Sequence, residues 1–549
     1  MADAAGRCRT RLSDLSDDLL RHILFFAPAR EAASTSVLSR RWRSLWRTSG
    51  AVNVDTRSFD RGCSSQQAPR HKQRDAFSAE EREAFLAGAK KALAAAQCTV
   101  RRLTFYFAEG SRINLMYRGG VWSWSDSKHN MVHAVVVASP AARRVEELHV
   151  EAGLHNQCTL SFGSLPSKAL RVLRLVKCSL ETRPPGVAFP RLADLRLEEC
   201  RVSVVHLRRT IDGAPQLSTL HLKSTNIEEE REETIDRQTV RRYSLRCPAV
   251  TGLVIADCKS NWNKINLELD VPMLQYFRYK GPVQRTNLRL SLKPQSSSST
   301  PKLIKVDLQL HLSNDCDAER EIREPFWQFI QNFNTTKHLK LTLDFSMDQL
   351  ALAEESQEEL LMGSPLFYLL ERLELEAPYD PKSKASMVML GNLLSCRPKV
   401  ASLRIKLRKN DFMRPYKVDK EAQLGFDNSV DHFRRRKRRL VSLGAEDDGS
   451  YDQASDFPGL SNQSFSCLQS YLRRVSLHFC MKETNCLGVQ LAKFFAEKAM
   501  VLQEMYVDDG SKKLSEHINP SVRRWRIGSS STRRSSDLAV LPPMNCSTR

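Results

Sequence analysis

One short pattern recurs along most of the chain: an apolar residue, two variable residues, a second apolar residue, one variable residue and a third apolar residue. Its clearest copies begin at Val100, Val145, Leu170, Leu192, Leu217, Val250, Leu274, Leu303, Leu370, Val400, Leu472 and Leu502. Most neighbouring copies lie roughly 22 to 35 residues apart, which is the spacing of a stacked repeat. The pattern therefore predicts a repeat array and not a single large core.

Within one copy, the spacing also predicts the local structure. Leu173 and Leu175 alternate as the inward residues of a short strand, and Leu170 enters the core from the preceding turn. This period is near the 20 to 29 residues that are typical of leucine-rich repeats. Three residues after the second strand position several copies carry a small residue, which we expect to be structural: Cys178, Cys200, Cys258, Cys480 and, equivalently, Thr225.

Ahead of the repeats, residues 12–46 predict three short helices. In the first, Leu15, Leu19, Leu20, Ile23 and Leu24 recur at the spacing of one helical face, Ser16 is the candidate N-cap and Pro28 ends the helix. Trp42, Leu45 and Trp46 lie at i, i+3 and i+4 in the third helix. About 35 residues cannot bury this much apolar surface alone, so we expect a docking surface. The alternative is that these residues are only the core of a helical cap on the repeats.

The leucine spacing and the block from Val37 to Trp46 (VLSRRWRSLW) resemble the F-box family over residues 10–50. Ser16 stands where that family usually has proline. The resemblance implies that the helices bind a Skp-type adaptor and, through it, the cullin of an SCF-type ubiquitin ligase. The implied contact residues are Leu12, Leu15, Leu19, Leu20, Ile23, Leu24, Val37, Leu38 and Trp42.

The repeats resemble those of grass-type F-box proteins with leucine-rich repeats, and residues 467–527 are similar to the FBD-like ending of that family. The predicted fold class is α+β: a three-helix F-box, then an irregular leucine-rich-repeat α/β solenoid. We expect an F-box at 10–50, a linker and capping-box helix at 51–99 and repeats at 100–407. A charged insertion at 408–466 and a tail at 528–549 are expected to be disordered.

Composition bounds the function. Lys and Arg exceed Asp and Glu by 84 to 63, a net charge of +21, which favours an acidic partner or nucleic acid. No run is long and apolar enough for a membrane helix, and no signal peptide is recognisable, so we expect a location in the nucleus or cytoplasm and not a secreted protein. A basic run is a candidate nuclear signal: Arg434, Arg435, Arg436, Lys437, Arg438 and Arg439.

Sequence motifs for catalysis or metal binding are absent: there is no phosphate loop, nucleophile elbow or zinc signature. We therefore expect no catalytic residue, no metal and no cofactor. Two hypotheses stand. The first is a non-catalytic adaptor whose repeats bind a substrate protein through outward strand residues: Arg174, Arg196, His221, Arg278 and Arg404. The second is a basic repeat protein that binds nucleic acid or an acidic partner without assembling a ligase; nucleic acid is the less expected partner.

Overall fold

The computed structural model describes residues 12–59, 79–107, 117–118, 121–122, 131–153, 158–160, 165–180, 187–228, 241–260, 265–283, 288–291, 303–312, 322–352, 367–379, 385–396, 399–408, 465–479, 487–508, 515–518 and 526–527. The chain divides into two compact units. The N-terminal unit comprises Met1–Leu274 and Asn287–Pro301, and the C-terminal unit comprises Gln275–Thr286 and Lys302–Arg549.

The described part of the N-terminal unit starts with three short helices, α1 (Asp17–Phe26), α2 (Ala29–Ser34) and α3 (Trp42–Leu45). Single 3-10 turns at Leu12–Asp14, Thr35–Val37 and Trp46–Thr48 flank them. The three predicted helices are therefore present. Among the described residues of this unit, three more helices follow: Ala79–Ala95, Met131–Ala138 and Val204–Asp212.

The main sheet of the N-terminal unit is parallel throughout its described strands. They run in sequence order: Ala51–Asp55, Arg102–Phe107, Glu147–Ala152, Val172–Val176, Asp194–Glu198, Thr219–Lys223 and Gly252–Ala256. Each strand buries its alternate apolar residues, such as Leu173 and Leu175, and leaves the residues between them on the other face. The repeat pattern in the sequence is therefore confirmed as a ladder of strands.

The first of these strands corrects one expectation. Ala51–Asp55 lies in the segment predicted as a linker, yet it pairs in parallel with Arg102–Phe107. Val52 and Val54 alternate inward and are buried, but Ser49 stands three residues before Val52, where a full repeat has its leading apolar residue. The sheet therefore begins directly after the third helix.

A second ladder accompanies the main sheet where its strands end. Short parallel strands lie at Cys158–Leu160, Cys178–Leu180, Arg201–Ser203, Asn226–Glu228 and Lys259–Ser260. Further pairs form a parallel three-stranded sheet, Arg241–Arg246, Ile265–Asp270 and Leu288–Ser291, and a hairpin, Tyr117–Arg118 with Val121–Trp122.

The small residue that follows four of the main strands marks the turn into the short strand of the second ladder. The residue before this position has a positive φ in all four cases: Lys177, Glu199, Ser224 and Asp257. This left-handed turn points the next side chain inward, where it donates to a carbonyl of the preceding strand. The Cys200 thiol lies 3.3 Å from the Leu175 oxygen, and the Thr225 hydroxyl lies 2.9 Å from the Leu197 oxygen. Cys178, Cys200 and Thr225 are buried and act structurally, whereas Cys480 lies outside the described residues.

The C-terminal unit repeats the same arrangement. Its parallel strands are Tyr276–Pro282, Lys305–His311, His338–Leu343, Arg372–Pro378, Ser402–Arg408, Arg474–His478 and Glu504–Asp508, and Ser515–Ile518 and Arg526–Ile527 continue antiparallel. Its helices are Arg323–Gln331, Ala385–Ser395, Ser466–Ser470 and Leu487–Lys498. The fold class is α+β, with the helical module first and the repeats after it, as predicted.

Candidate adaptor-docking site

Helix α1 has two apolar faces, of which one is buried and the other is exposed to solvent. Leu20 and Leu24, four residues apart, are buried. Leu19, Ile23 and Phe26 follow the other side of the helix and are exposed, Leu19 to 53% and Phe26 to 58%. A leucine that keeps half of its surface in water loses the stabilisation that burial gives, so this second face is suited to a partner.

The start of α1 is capped as the sequence predicts. The Ser16 hydroxyl accepts a hydrogen bond from the Leu19 N–H at 3.4 Å, and Asp17 and Asp18 occupy the first turn. Serine can therefore cap this helix without the proline that the F-box family usually carries there. Asp17 also binds Arg41, whose Nε lies 2.6 Å from Oδ1 of Asp17.

Arg41 connects the segment before α3 with the residues at the start of α1. Nη2 of Arg41 donates to the Leu15 carbonyl at 2.5 Å, next to its contact with Asp17. The side chain belongs to the Arg-Arg-Trp block that carries the family resemblance, but its structural role was not predicted. Only the folded chain brings residues 15, 17 and 41 together.

The three helices share one small core, formed by Leu20, Leu24, Ala32, Trp42 and Leu45. Leu15, Ala27 and Trp46 pack against this core and are partly buried. Nε1 of Trp46 donates to the Ser36 hydroxyl at 3.0 Å, which satisfies the indole N–H. Core packing, not partner contact, is therefore the role of Trp46.

The predicted docking residues divide between this core and the surface. Five are exposed: Leu12, Leu19, Ile23, Val37 and Leu38. Leu15 is half-buried. Leu20, Leu24 and Trp42 are buried within the module, so their predicted role as docking residues is corrected to a role in the core. These three hold the helices together, because the same helical face cannot both fill the core and meet a partner. Phe26 was not among the predicted docking residues, although its position seven residues after Leu19 places it on the same exposed face.

The module is fastened to the first strands of the sheet by polar contacts. The Asn53 amide donates to the carbonyls of Phe25 and Ala27, both at 2.9 Å. The guanidinium of Arg102, on the next strand, lies over the rings of Phe25 and Phe26 at 5.4 and 5.3 Å. The end of α1 is thus held against the polar face of the sheet.

The predicted substrate-binding residues fall into both units. Arg174, Arg196 and His221 lie in register on adjacent strands of the N-terminal unit. Arg278 and Arg404 lie on strands of the C-terminal unit, and Arg278 pairs with Asp307 at 3.6 Å. Arg174 pairs with Glu198 at 3.4 Å and Arg196 with Asp194 at 2.7 Å. All five are strand residues: the first three are neighbours in one row, whereas three strands separate Arg278 from Arg404 in a row of the C-terminal unit.

Two histidines beside these arginines have lowered pKa values. Burial, and then the charges of Arg102, Arg174 and Arg196, lower the pKa of His149 to about 3. Nη2 of Arg102 lies 3.0 Å from Nδ1 of His149, which fits a neutral ring accepting from the arginine. In the C-terminal unit, burial and Arg404 lower the pKa of His478, whose Nδ1 lies 3.3 Å from Asp508.

Within the described ranges, no group of three or more His, Cys, Asp or Glu residues could hold a metal ion. No described helix is both long and apolar enough to cross a bilayer. The basic run at 434–439, the larger part of the predicted insertion and the tail at 528–549 lie outside the described residues.

Comparison with known proteins finds two family profiles that match segments of this chain. Residues 12–50 match the profile of the F-box domain, and residues 134–303 match that of the LRR repeats of FBD-associated F-box protein At5g56370. The chain is 25% identical over 303 residues to the F-box/FBD/LRR-repeat protein At5g44950 of Arabidopsis thaliana, which covers 55% of this chain and 58% of that protein.

Two further relatives agree. The F-box/LRR-repeat protein At1g48400 of Arabidopsis thaliana is 29% identical over 219 residues, 39% of each chain. The MEIOTIC F-BOX protein of Oryza sativa subsp. japonica is 57% identical over 49 residues, 9% of this chain and 10% of that protein. The matched segments thus span between a tenth and about three fifths of these relatives' own lengths.

Helices, sheet and comparisons together define the class: an F-box domain followed by leucine-rich repeats. The chain thus carries an F-box match and leucine-rich repeats similar to those of FBD-associated F-box proteins, and the relatives named above are plant proteins. Proteins of this architecture are generally non-catalytic substrate adaptors of SCF-type ubiquitin ligases.

Proposed function

We propose that this protein recruits a substrate to an SCF-type cullin-RING ubiquitin ligase. Its F-box binds a Skp-type adaptor through the exposed apolar residues of the module, and the repeats bind the substrate protein. Ubiquitin is transferred by other subunits, so this chain needs no catalytic residue. Through the adaptor, the protein also joins a cullin.

One observation carries this proposal: the module leaves six large apolar side chains exposed after filling its own core. They are Leu12, Leu19, Ile23, Phe26, Val37 and Leu38, with Val37 exposed to 86%. If the helices were only a cap, these residues would be expected to pack against the chain itself. Apolar residues concentrated in so short a segment mark an interaction site.

The test is complex formation between the purified full chain and a Skp-type adaptor, measured by calorimetry and by co-elution in gel filtration. Leu19→Asp and Val37→Asp should each weaken binding at least about tenfold, because a buried leucine or valine contact contributes about 1.5–3 kcal/mol. Val137→Asp is the matched control, since Val137 is also apolar and 48% exposed but lies outside the F-box.

Leu20→Asp is unsuitable for this test, because Leu20 is fully buried and the substitution would unfold the module. If the wild-type chain forms no complex at any ratio, the adaptor proposal fails. If Val137→Asp weakens binding as much as Leu19→Asp does, the F-box face is not the docking site.

The proposal extends to location. We propose that the protein resides in the nucleus or cytoplasm, with residues 434–439 as the nuclear signal. The support is the density of basic residues in this run. A fluorescent fusion should lose nuclear enrichment when the six residues are replaced by alanine, and unchanged nuclear enrichment would refute the signal.

A further inference from the structure

Exposed basic residues lie just ahead of four neighbouring strands of the N-terminal unit, at the edge where the chain enters the sheet. The four strands are Arg102–Phe107, Glu147–Ala152, Val172–Val176 and Asp194–Glu198. Neighbouring strands lie about 4.8 Å apart, so the four span about 14 Å. This basic edge consists of six residues, all exposed: Arg101, Arg143, Arg144, Lys168, Arg171 and Arg191.

The six cations of the basic edge have no anionic partner in the part of the chain that the structure describes. None of them forms an ion pair with a described carboxylate. Arg143 donates a hydrogen bond to the carbonyl of Val137, which carries no net charge. Like charges held on adjacent strands repel each other, so the basic edge is suited to an anionic partner.

Few carboxylates lie near enough to offset this charge. Glu146 lies on the rung between Arg101 and Arg171, whose backbones it bonds, but its carboxylate forms no ion pair with either side chain. Asp212 lies in the loop that follows the edge and pairs with Arg208 at 3.8 Å. The edge therefore holds six cations and one unpaired carboxylate.

The next carboxylates lie one step further, inside the strands, and each has its own arginine. Asp194 pairs with Arg196 at 2.7 Å. Glu147 lies in register with Arg102 on the neighbouring strand. These two carboxylates are thus matched by arginines outside the basic edge, and the excess of positive charge at the edge remains.

The repeat fold does not require a basic edge. The strand-entry edge of the C-terminal unit mixes its charged residues with exposed apolar ones, and Lys337 pairs there with Glu371 at 3.4 Å. The exposed apolar residues at that edge are Ile304, Tyr368, Tyr471, Met500 and Val501. The basic edge of the N-terminal unit is therefore a feature of its particular sequence.

The basic edge begins in direct contact with the end of the F-box. The Gln97 N–H donates to the Arg47 carbonyl, and the Arg101 N–H donates to the Gly50 carbonyl, both at 2.9 Å. The first repeat thus continues from the helical module without an intervening gap. A protein that docks on the F-box would lie next to this edge.

Positive residues also connect the docking residues with that contact. Val37 and Leu38, two of the exposed docking residues, are followed by Arg40 and Arg43, which are exposed as well. Arg47 comes one helical turn after Arg43. The apolar docking surface is therefore continuous, through these arginines, with the basic edge.

Nucleic acid fits the basic edge less well than a protein does. Single strands are held by aromatic side chains on which bases stack, and the described edge residues 97–101, 140–145, 166–171 and 190–191 include no aromatic residue. Sequence readout of a duplex needs a helix or a β-ribbon that enters a groove, and a row of strand starts offers neither. An acidic protein surface needs only carboxylates placed opposite the cations.

We propose that the basic edge binds an acidic surface of the Skp-type adaptor that docks on the F-box, as a second, electrostatic contact beside the apolar one. This inference rests on the proposed function, because it assigns a further surface to the same complex. Exposed charges at the margin of an interface act mainly on the association rate and are screened by salt, whereas apolar contacts act mainly on the dissociation rate.

The test measures association and dissociation rates of the purified full chain with a Skp-type adaptor by surface plasmon resonance. Arg144→Glu/Arg171→Glu/Arg191→Glu should lower the association rate constant at least about tenfold at about 0.1 M salt. At about 1 M salt, where the screening length is about 3 Å, the difference from wild type should fall below about twofold.

Lys305→Glu/Lys399→Glu/Arg473→Glu is the matched control. These three cations are also exposed, form no ion pair with a described residue and lie at the strand-entry edge, but in the C-terminal unit. The control changes the net charge equally and should slow association less than about twofold. Thermal melting verifies that both triple variants are folded.

Equal slowing in both triple variants would overturn the inference, because the adaptor would then respond only to net charge. Unchanged association of the edge variant, or slowing that persists at about 1 M salt, would overturn it as well. So would a loss that appears only with a cullin or a DNA duplex as the binding partner. A wild-type chain that binds the adaptor while the edge variant binds it equally fast refutes only this inference, whereas a wild-type chain that forms no complex refutes the proposed function together with it.

Discussion

The amide of Asn53 holds the end of helix α1 by donating to the carbonyl of Ala27 at 2.9 Å, while also reaching the Phe25 carbonyl. Both acceptors belong to the end of the helix, where carbonyls have no partner within the helix itself. One strand residue thus satisfies two of them. The F-box is joined to the sheet through this contact as well as by the chain.

Asn53→Ala should lower the free energy of unfolding of the N-terminal unit by about 1–3 kcal/mol, because two carbonyls near the helix end lose their donor. Urea unfolding followed by tryptophan fluorescence measures the change. Asn226→Ala is the control, since the Asn226 amide bonds only an exposed carboxylate, that of Glu228, and should cost less than about 0.5 kcal/mol. A control as costly as Asn53→Ala would contradict this account.

Leu20→Ala should destabilise the F-box by about 2–5 kcal/mol, because Leu20 is fully buried among Leu24, Trp42 and Leu45 and its loss leaves a cavity. Leu19→Ala, one residue away on the exposed face, should stay within about 0.5 kcal/mol. Hydrogen exchange of the α1 amides distinguishes the two. Equal protection in both variants would mean that the burial assignment of these leucines is incorrect.

Cys200→Thr should change stability by less than about 1 kcal/mol, whereas Cys200→Leu should cost about 1–3 kcal/mol through overpacking. Threonine already occurs at the equivalent position of the next repeat, where the Thr225 hydroxyl donates to a carbonyl of the preceding strand as the Cys200 thiol does. Thermal denaturation compares the two variants. A threonine variant as unstable as the leucine variant would show that this position needs the thiol itself.

His149 should make stability depend on pH. Its pKa lies near 3 in the folded protein, against 6.5 ordinarily, so the unfolded chain takes up a proton first as the pH falls. The stability it contributes is complete above pH 6.5 and is lost as the pH falls toward 3. Between pH 7 and 5, the wild type should lose about 1–2 kcal/mol more than His149→Asn does.

Denaturation curves at the two pH values measure this difference, and an NMR titration locates the pKa directly. Arg102→Gln should raise the pKa of His149, because Arg102 is the nearest of the three arginines that oppose its protonation. A His149 pKa that stays near 6.5 in the wild type would contradict the burial of His149 and its proximity to the three arginines.

Much of the fold was predictable from the sequence because its signals are local. The strand positions follow from alternating residues such as Leu173 and Leu175, and the start of α1 follows from Ser16 and the two aspartates after it. The strand Ala51–Asp55 was not predictable, because Ser49 stands where the repeat pattern has its leading apolar residue. It becomes a strand by pairing with Arg102–Phe107.

The sequence alone therefore determined that an F-box helical module precedes a ladder of repeats, since periodicity and capping depend on near neighbours in the chain. Only the tertiary structure decided which leucines of α1 face outward. Leu20 is buried and Leu19 exposed because α3 and the other helices pack on one side of α1. Arg174 likewise lies beside Arg196 only because two strands more than 15 residues apart in the chain pair in register.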